Sequence, residues 1–378
     1  MQYNLFQGEP ISKLGFGLMR LPVLDGDQAK IDYAKTEQMI LYALEQGVNY
    51  FDTAYPYHRG ESEKVFGQIM KNNGIRNQLH LATKLFTANV DKPDYDPRKI
   101  LEEQLSRLQT DHFDFYLLHA LNAERWKTLR DQYHIREFLT SLKRDGTVRH
   151  IGFSFHDDYD AFVSILNDFD GWEFAQIQYN YADHELQAGD AGMRYAREKG
   201  IPLVIMEPIK GGNLAFTDYP EVGEILKKHG LADISAVELA LDYVFDKPNL
   251  LTVLSGMGSM EMIRENIAIA SRAQEGMLNE NMSAAIEEIC ALVERTETIG
   301  CTACRYCMEG CPAQLRIPDA FDFYNTAKKY RSPSSQRRMY DMLCNNLADC
   351  VECGQCASIC PQHLDIPELL KKVRSYME

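Results

Sequence analysis

Residues Phe113–His119 read FDFYLLH, a near-continuous apolar run of strand length that closes on an imidazole. An apolar run this short, followed by a helix-period stretch, marks a strand buried on both faces, and such strands belong to parallel sheets. Working outward, seven further runs share its character: Leu14–Arg20 (LGFGLMR), Asn49–Ala54 (NYFDTA), His80–Leu85 (HLATKL), His150–Phe155 (HIGFSF), Phe174–Asn180 (FAQIQYN), Pro202–Pro208 (PLVIMEP) and Leu251–Gly256 (LTVLSG). Amphipathic segments lie between them, at Thr36–Gln46, Ser62–Lys71, Pro97–Leu108, Ile135–Arg144 and Val237–Phe245. Thr36 is the expected N-cap of the first and Gly47 its expected C′ residue. Parallel strands need crossover helices, which these segments supply.

Eight such units in about 270 residues predict an α/β fold, a (β/α)8 TIM barrel, whose usual size is about 250 residues. The competing open, doubly wound sheet would carry a glycine-rich dinucleotide loop after an early strand. No G-x-G-x-x-G or P-loop occurs, only the fragments Gly15-Phe16-Gly17 and Gly256-Met257-Gly258. The chain has 378 residues and a formal net charge of −15, so it repels phosphate backbones and anionic lipid; nucleic-acid and membrane partners are not expected. Met1–Pro10 has no secretory pattern, and no apolar run reaches the roughly 20 residues of a membrane span; a cytoplasmic setting is expected.

Cysteine placement divides the chain. None occurs before Cys290, and all 10 lie from there on. This predicts a barrel over 1–272, a helical linker over 273–298 and a cysteine-built module over 299–378. Without an export signal, metal ligation is favoured over disulfides.

In a barrel of this kind the active site lies at the C-terminal ends of the strands. There the chain places Asp52 at the end of strand two, Tyr57 just beyond it, Lys84 at the end of strand three and His119 at the end of strand four. A lysine or aspartate inside an apolar strand is costly to bury alone, and pairing the two removes most of that penalty. Taken singly, each has a bland reading as a turn-former, a loop aromatic, a snorkelling strand end or a core histidine. Their arrival on one rim favours a shared function.

These residues carry a family resemblance. Phe51-Asp52-Thr53-Ala54-Tyr55-Pro56-Tyr57, followed by Arg59-Gly60-Glu61-Ser62-Glu63, resembles the aldo-keto reductase signature. Ala82-Thr83-Lys84, Tyr116-Leu117-Leu118-His119, Ile151-Gly152-Phe153-Ser154 and Gln176-Ile177-Gln178-Tyr179-Asn180 resemble further motifs of that family, over about residues 1–270. The resemblance implies a catalytic tetrad of Asp52, Tyr57, Lys84 and His119. It also implies that Ser154, Gln178 and Asn180 hold a nicotinamide carboxamide. Met206-Glu207-Pro208-Ile209 stands where many members supply a stacking aromatic, and Phe155 stands where an asparagine is usual. Around Gly256 the usual basic and serine residues for a 2′-phosphate are missing, although Arg264 and Asn266 keep part of that motif. NADH, weakly held NADP(H) and flavin are therefore all candidate cofactors.

The tetrad suits carbonyl reduction. An alkoxide formed by hydride addition needs a proton, and a free phenol, with pKa about 10, is a poor donor at neutral pH. A lysine ammonium beside Tyr57 is expected to lower that pKa, with Asp52 holding Lys84 charged and His119 bonding the substrate oxygen.

The tail reads Cys301-x2-Cys304-x2-Cys307-x3-Cys311-Pro312 and then Cys350-x2-Cys353-x2-Cys356-x3-Cys360-Pro361, the spacing of bacterial two-cluster ferredoxins. Three close cysteines wrap one cubane and the fourth reaches across to the other. Cys301, Cys304, Cys307 and Cys360 are thus assigned to one [4Fe–4S] cluster, and Cys350, Cys353, Cys356 and Cys311 to the second. The alternative, a pair of zinc sites, would use paired C-x2-C knuckles. A small, mainly helical, two-cluster ferredoxin-like domain is expected, its halves repeating LeuArgIlePro and LeuAspIlePro around a helical insert, Asp319–Leu347. Cys290 and Cys344 are left as small buried hydrophobes. Lys328, Lys329, Arg331, Arg337 and Arg338 form either a solvated helix face or a docking patch for an acidic carrier such as ferredoxin or flavodoxin.

Nicotinamide moves two electrons as hydride and each cluster moves one. The expected activity is reduction of a small-molecule aldehyde or ketone at the barrel, with electron input or regulation through the clusters. The alternative is an iron–sulfur electron-transfer or redox-sensing adaptor on a weakly active barrel. The loop Lys210–Ala232 and the tail are the segments expected to line the pocket.

Overall fold

All eight expected strands form. In the computed structural model, which describes residues 1–378, an antiparallel hairpin, β1 (Tyr3–Phe6) with β2 (Glu9–Ser12), precedes the barrel. The barrel strands are β3 (Leu14–Gly17), β4 (Tyr50–Asp52), β5 (His80–Leu85), β6 (Phe113–Leu121), β7 (Val148–Phe155), β8 (Phe174–Gln178), β9 (Leu203–Met206) and β10 (Leu250–Ser255). Neighbours pair in parallel in chain order, and β10 closes the ring by pairing with both β9 and β3.

The two-residue period of a strand sets what faces inward. Tyr50, Ala82, Phe115, Leu117, Phe174 and Val204 pack together as a core with Phe6 and Ile11 of the hairpin. Asp52, Lys84, His119, Gln176 and Met206 keep the same alternation two or four residues further on, at the C-terminal ends. Close approach requires glycine at position 152, where a Cβ would lie 2.6 Å from the Phe174 ring.

The helices follow the expected segments. Pro97–Leu108 and Ile135–Arg144 form as read, while two others begin earlier, at Tyr33–Glu45 and Glu61–Asn73. The expected cap at Thr36 is corrected. Asp32 caps the helix through the Lys35 N–H, because its carboxylate stands three residues ahead of a free amide, whereas Thr36 is buried within the first turn. Gly47 does take the left-handed conformation beyond the C-cap, with φ +90°.

The chain divides into two compact units, Met1–Pro208 with Ala240–Leu278, and Ile209–Leu239 with Asn279–Glu378. The expected 273–298 linker thus contains helix Glu280–Glu294 of the second unit, and the segment after β9 also belongs to that unit rather than to the barrel. Helices Ile317–Lys329, Pro333–Leu343 and Ile366–Met377 build the second unit with two four-residue helical turns, Tyr306–Glu309 and Gln355–Ser358. Its core holds Leu315, Ile317, Phe321, Tyr324, Tyr340, Leu347, Ile366, Leu370 and Cys344. The segment 209–239 joins it through Tyr219, which donates to the Lys329 carbonyl at 3.0 Å, and through Glu221, which takes Arg331 by both nitrogens at 2.9 and 3.0 Å.

These contacts also change the reading of the basic patch. Lys329 pairs with Glu294 at 2.7 Å, Arg331 with Glu221, and Arg337 with Asp341 at 2.9 Å, while Lys328 lies over the Tyr376 ring. Internal carboxylates therefore neutralise much of the charge expected to greet a carrier. No helix is long and apolar enough to cross a membrane.

Candidate functional site

Three neighbouring strands and one turn bring the tetrad together. Lys84 Nζ donates to Asp52 Oδ1 at 2.6 Å, to the Thr53 carbonyl at 2.8 Å and to the Tyr57 hydroxyl at 3.4 Å. Lys84 is 1% exposed and Asp52 2%, so the ion pair is fully desolvated. Tyr57 and His119 are half-buried, their rings edge-to-face with centroids 6.0 Å apart.

The Tyr57 turn is held from behind. His58 and Arg59 both take left-handed backbone, with φ of 52° and 56°. The buried His58 ring accepts from the Leu21 N–H through Nε2 at 3.1 Å, leaving Nδ1 to meet the Gln28 carbonyl. Ser62 donates to the Leu18 carbonyl and shares a hydrogen bond with Thr53 at 2.9 Å, fixing the end of β4. Glu63 is buried and accepts from Thr83 and Gln104, each at 2.7 Å.

Electrostatics modify one expectation. Burial pushes the Tyr57 phenol above its usual pKa, and Lys84 only partly opposes it. The reason is that Asp52 already balances the lysine charge. Burial works against the Lys84 ammonium, but Asp52 and Tyr57 outweigh it and hold lysine charged. Burial, and then Lys84, drive His119 well below the usual histidine range, so its imidazole is neutral. The rim thus carries a protonated phenol backed by an ammonium, beside a neutral hydrogen-bonding ring.

The expected nicotinamide residues separate into two groups. Ser154 is buried on β7, where its Oγ accepts the Ala120 N–H at 2.7 Å and keeps its own proton to give. Gln178 and Asn180 both turn to Asp183 Oδ2 at 3.2 Å. Asn180 Oδ1 also accepts the Ala182 and Asp183 amides, each at 3.0 Å, so Asn180 builds a local turn instead of offering a free amide. Gln176 was missed. It is 2% exposed, pairs in register with Ser154, and its Oε1 has no partner while Nε2 meets the Met206 sulfur at 3.4 Å. The signal was present in sequence, since Gln176 shares the inward parity of Phe174. At the end of β10, Asn266 donates to Ser255 at 2.8 Å, Gly256 is exposed, and the exposed Arg264 lies over the Tyr42 ring.

In the second unit the eight cysteines line two cavities. Cys301, Cys304, Cys307 and Cys360 surround one of about 330 Å³, walled by Ile317, Pro318, Phe321 and Ile366. Cys311, Cys350, Cys353 and Cys356 surround the other, about 340 Å³, walled by Pro312, Leu315, Ile317 and Leu370. This is the crosswise sharing read from the spacing. No three His, Cys, Asp or Glu side chains converge tightly enough for a single metal ion. Four thiols facing one cavity suit a multi-atom cluster. Burial raises the pKa of Cys307 to about 11, so this thiol needs a bound cation to become a thiolate. Cys344 lies apart, buried, its thiol also raised to about 11 by burial.

A closed eight-stranded parallel barrel with this rim defines an oxidoreductase of a known class, and comparison gives the family. Residues 13–290 match the model of the aldo/keto reductase family and residues 300–364 that of a 4Fe-4S dicluster domain; the chain belongs to the aldo-keto reductases and carries an iron–sulfur module after the barrel. Its relatives include an NADH-specific methylglyoxal reductase of Escherichia coli, 27% identical over 68% of this chain and 89% of the relative. L-galactose dehydrogenase of Arabidopsis thaliana is 27% identical over 77% and 93%. The holo form of an aldo-keto reductase from Bacillus halodurans is 25% identical, with TM-score 0.60 over 76% of this chain and 95% of that one. A Klebsiella pneumoniae aldo-keto reductase in complex with NADPH, 20% identical with TM-score 0.60, shares the fold.

Proposed function

We propose that this chain reduces an aldehyde or ketone at the barrel rim, with Tyr57 as proton donor. The observation that carries this reading is the contact of Tyr57 with the Lys84 ammonium at 3.4 Å, itself locked on Asp52 at 2.6 Å. Ser154 and Gln176 suit the nicotinamide carboxamide, since Ser154 keeps a free donor and Gln176 a buried oxygen without a partner. A bound NAD(P)H would supply the hydride to the carbonyl carbon. His119, neutral, donates a hydrogen bond to the substrate oxygen and fixes its place. As charge builds on that oxygen, Tyr57 gives up its proton, and the phenolate left behind faces the Lys84 ammonium. Asp52 keeps that ammonium in place throughout.

NADH is favoured over NADPH. Asn266 is bonded to Ser255 and Arg264 lies over Tyr42, leaving a 2′-phosphate no cluster of cations among the residues expected to bind it. The Escherichia coli relative is named NADH-specific.

The cysteine cavities are read as the sites of two [4Fe–4S] clusters, which would exchange single electrons with a redox partner. Cys301, Cys304, Cys307 and Cys360 hold one and Cys311, Cys350, Cys353 and Cys356 the other. In anaerobically prepared protein assayed with NADH and methylglyoxal, Tyr57→Phe is expected to lower turnover by about 10²- to 10⁴-fold. Wild-type turnover in that variant overturns the proton-donor assignment.

A further inference from the structure

Just behind His119 the barrel contains a defect. The β6–β7 register runs Leu118 to Phe153 and then Leu121 to Phe155, so β6 holds one more residue than its partner across this step. The extra length falls on His119 and Ala120, and Ala120 takes a left-handed φ of 48°, which a residue with a Cβ rarely adopts. A bulge of this kind re-aims the side chain it carries.

Three side chains from three different segments hold the bulged backbone. The Ala120 N–H, which has lost its ladder partner, donates to Ser154 Oγ at 2.7 Å. The Ala120 carbonyl accepts from Arg125 Nη1 at 2.7 Å. The His119 carbonyl accepts from the buried Thr87 hydroxyl. The His156 N–H then rejoins the ladder at the Leu121 carbonyl at 3.1 Å. Arg125 sits in the first turn of helix Ala123–Tyr133, its own amide bound to the Asn122 cap at 2.8 Å, so the guanidinium reaches Ala120 from a fixed base.

We infer that Arg125 is a positioning residue for the reaction: its guanidinium, with Thr87 and Ser154, pins the Ala120 bulge and thereby sets the aim of the His119 imidazole. The inference rests on the carbonyl-reduction reading for its kinetic consequence, but not for its structural one. It gives Ser154 a second task, since the hydroxyl suited to the carboxamide is also the acceptor that holds the peptide behind His119. Arg125 also acts on the His119 charge, as one of the cations that keep the ring neutral. The two effects separate by substitution. Arg125→Met removes donor and charge, Arg125→Gln keeps a donor without charge, and Arg125→Lys keeps both.

The test uses full-length, cluster-loaded protein, assayed with NADH and methylglyoxal as probes. The His119 ring is followed by nitrogen-15 NMR of labelled histidine, with its signal identified by loss in His119→Gln. Arg125→Met is expected to lower kcat by about 10- to 100-fold, to leave the KM for NADH within about twofold, and to shift the His119 signal. Arg125→Lys and Arg125→Gln are expected to restore most of kcat and the wild-type signal. A wild-type kcat and unshifted signal in Arg125→Met overturns the inference. So does a loss in Arg125→Gln equal to that in Arg125→Met, which would assign the effect to charge alone. A role in stability only would lower the thermal midpoint and leave kcat per folded molecule unchanged, which also overturns it. If Tyr57→Phe keeps full turnover while Arg125→Met still shifts the His119 signal, the carbonyl-reduction reading fails and the positioning role stands.

Discussion

In the barrel, Lys84 already touches three protein oxygens, on Asp52, Thr53 and Tyr57, supplied by the end of β4 and the turn that follows it. In the second unit, eight cysteines line two cavities, and the helical turns that carry Cys307 and Cys356 are four residues long. Turns so short cannot hold themselves, because most helix stability comes from packing. The rim is therefore held by polar contacts within the barrel, while the cysteine sites rest on short turns and take their support from the helical core beneath them.

This contrast can be broken at either end. The largest effect is expected at Lys84. Lys84→Met strands Asp52 as a lone buried carboxylate and should lower stability by about 3–5 kcal/mol in denaturant titrations, with turnover falling at least as far as in Tyr57→Phe. A stable Lys84→Met protein would mean that the pair is not what orders the rim. Next in size is Cys360→Ala. If ligation is crosswise, this substitution in the second motif empties the site of Cys301, Cys304 and Cys307, and anaerobic protein should hold about half the wild-type iron. Unchanged iron would sink the assignment. Gly152→Ala drives a methyl group into the Phe174 ring and should cost about 1–3 kcal/mol by thermal unfolding, with iron content untouched. Cys344→Ala is expected to cost about 1 kcal/mol or less and to keep full iron, since Cys344 packs in the core and lines neither cavity. The smallest effect is that of pH. Tyr57 must be protonated to act, and burial raises its pKa, so its acid form persists to higher pH; His119 is neutral because burial lowers its pKa. The pH profile of kcat should therefore stay flat from about pH 6.5 to 10. A break near pH 8 would show that the phenol is instead acidified.

The two regions also differ in how far they were legible. Eight strands could be read because burial on both faces forces long apolar runs. The tetrad was legible from its place at the strand ends and from the family resemblance, and in the structure Asp52 and Lys84 keep the strand parity of Tyr50 and Ala82. The cysteines were legible because cluster ligation fixes their spacing along the chain. What failed was local polar competition. Thr36 lost its cap to Asp32, whose carboxylate met the helix amides first. Asn180 also serves its own turn, which spacing does not show, and Gln176 emerged only once the β7–β8 register placed it beside Ser154. Lys84 does pull the Tyr57 pKa down as expected, but burial, which spacing does not reveal, pushes it up further.

The run Ile209–Leu239 leaves the barrel after β9 and builds its ion pairs and hydrogen bonds with helices more than fifty residues further along the sequence, through Glu221 with Arg331, Tyr219 with Lys329 and Lys228 with Glu288. An engineer who cut the gene before the cysteines would leave Tyr219 without Lys329 and Glu221 without Arg331, and would expose Tyr219 and Phe216. The reductase cannot be excised cleanly from its iron-binding companion, and evolution faces the same obstacle to shuffling the two apart.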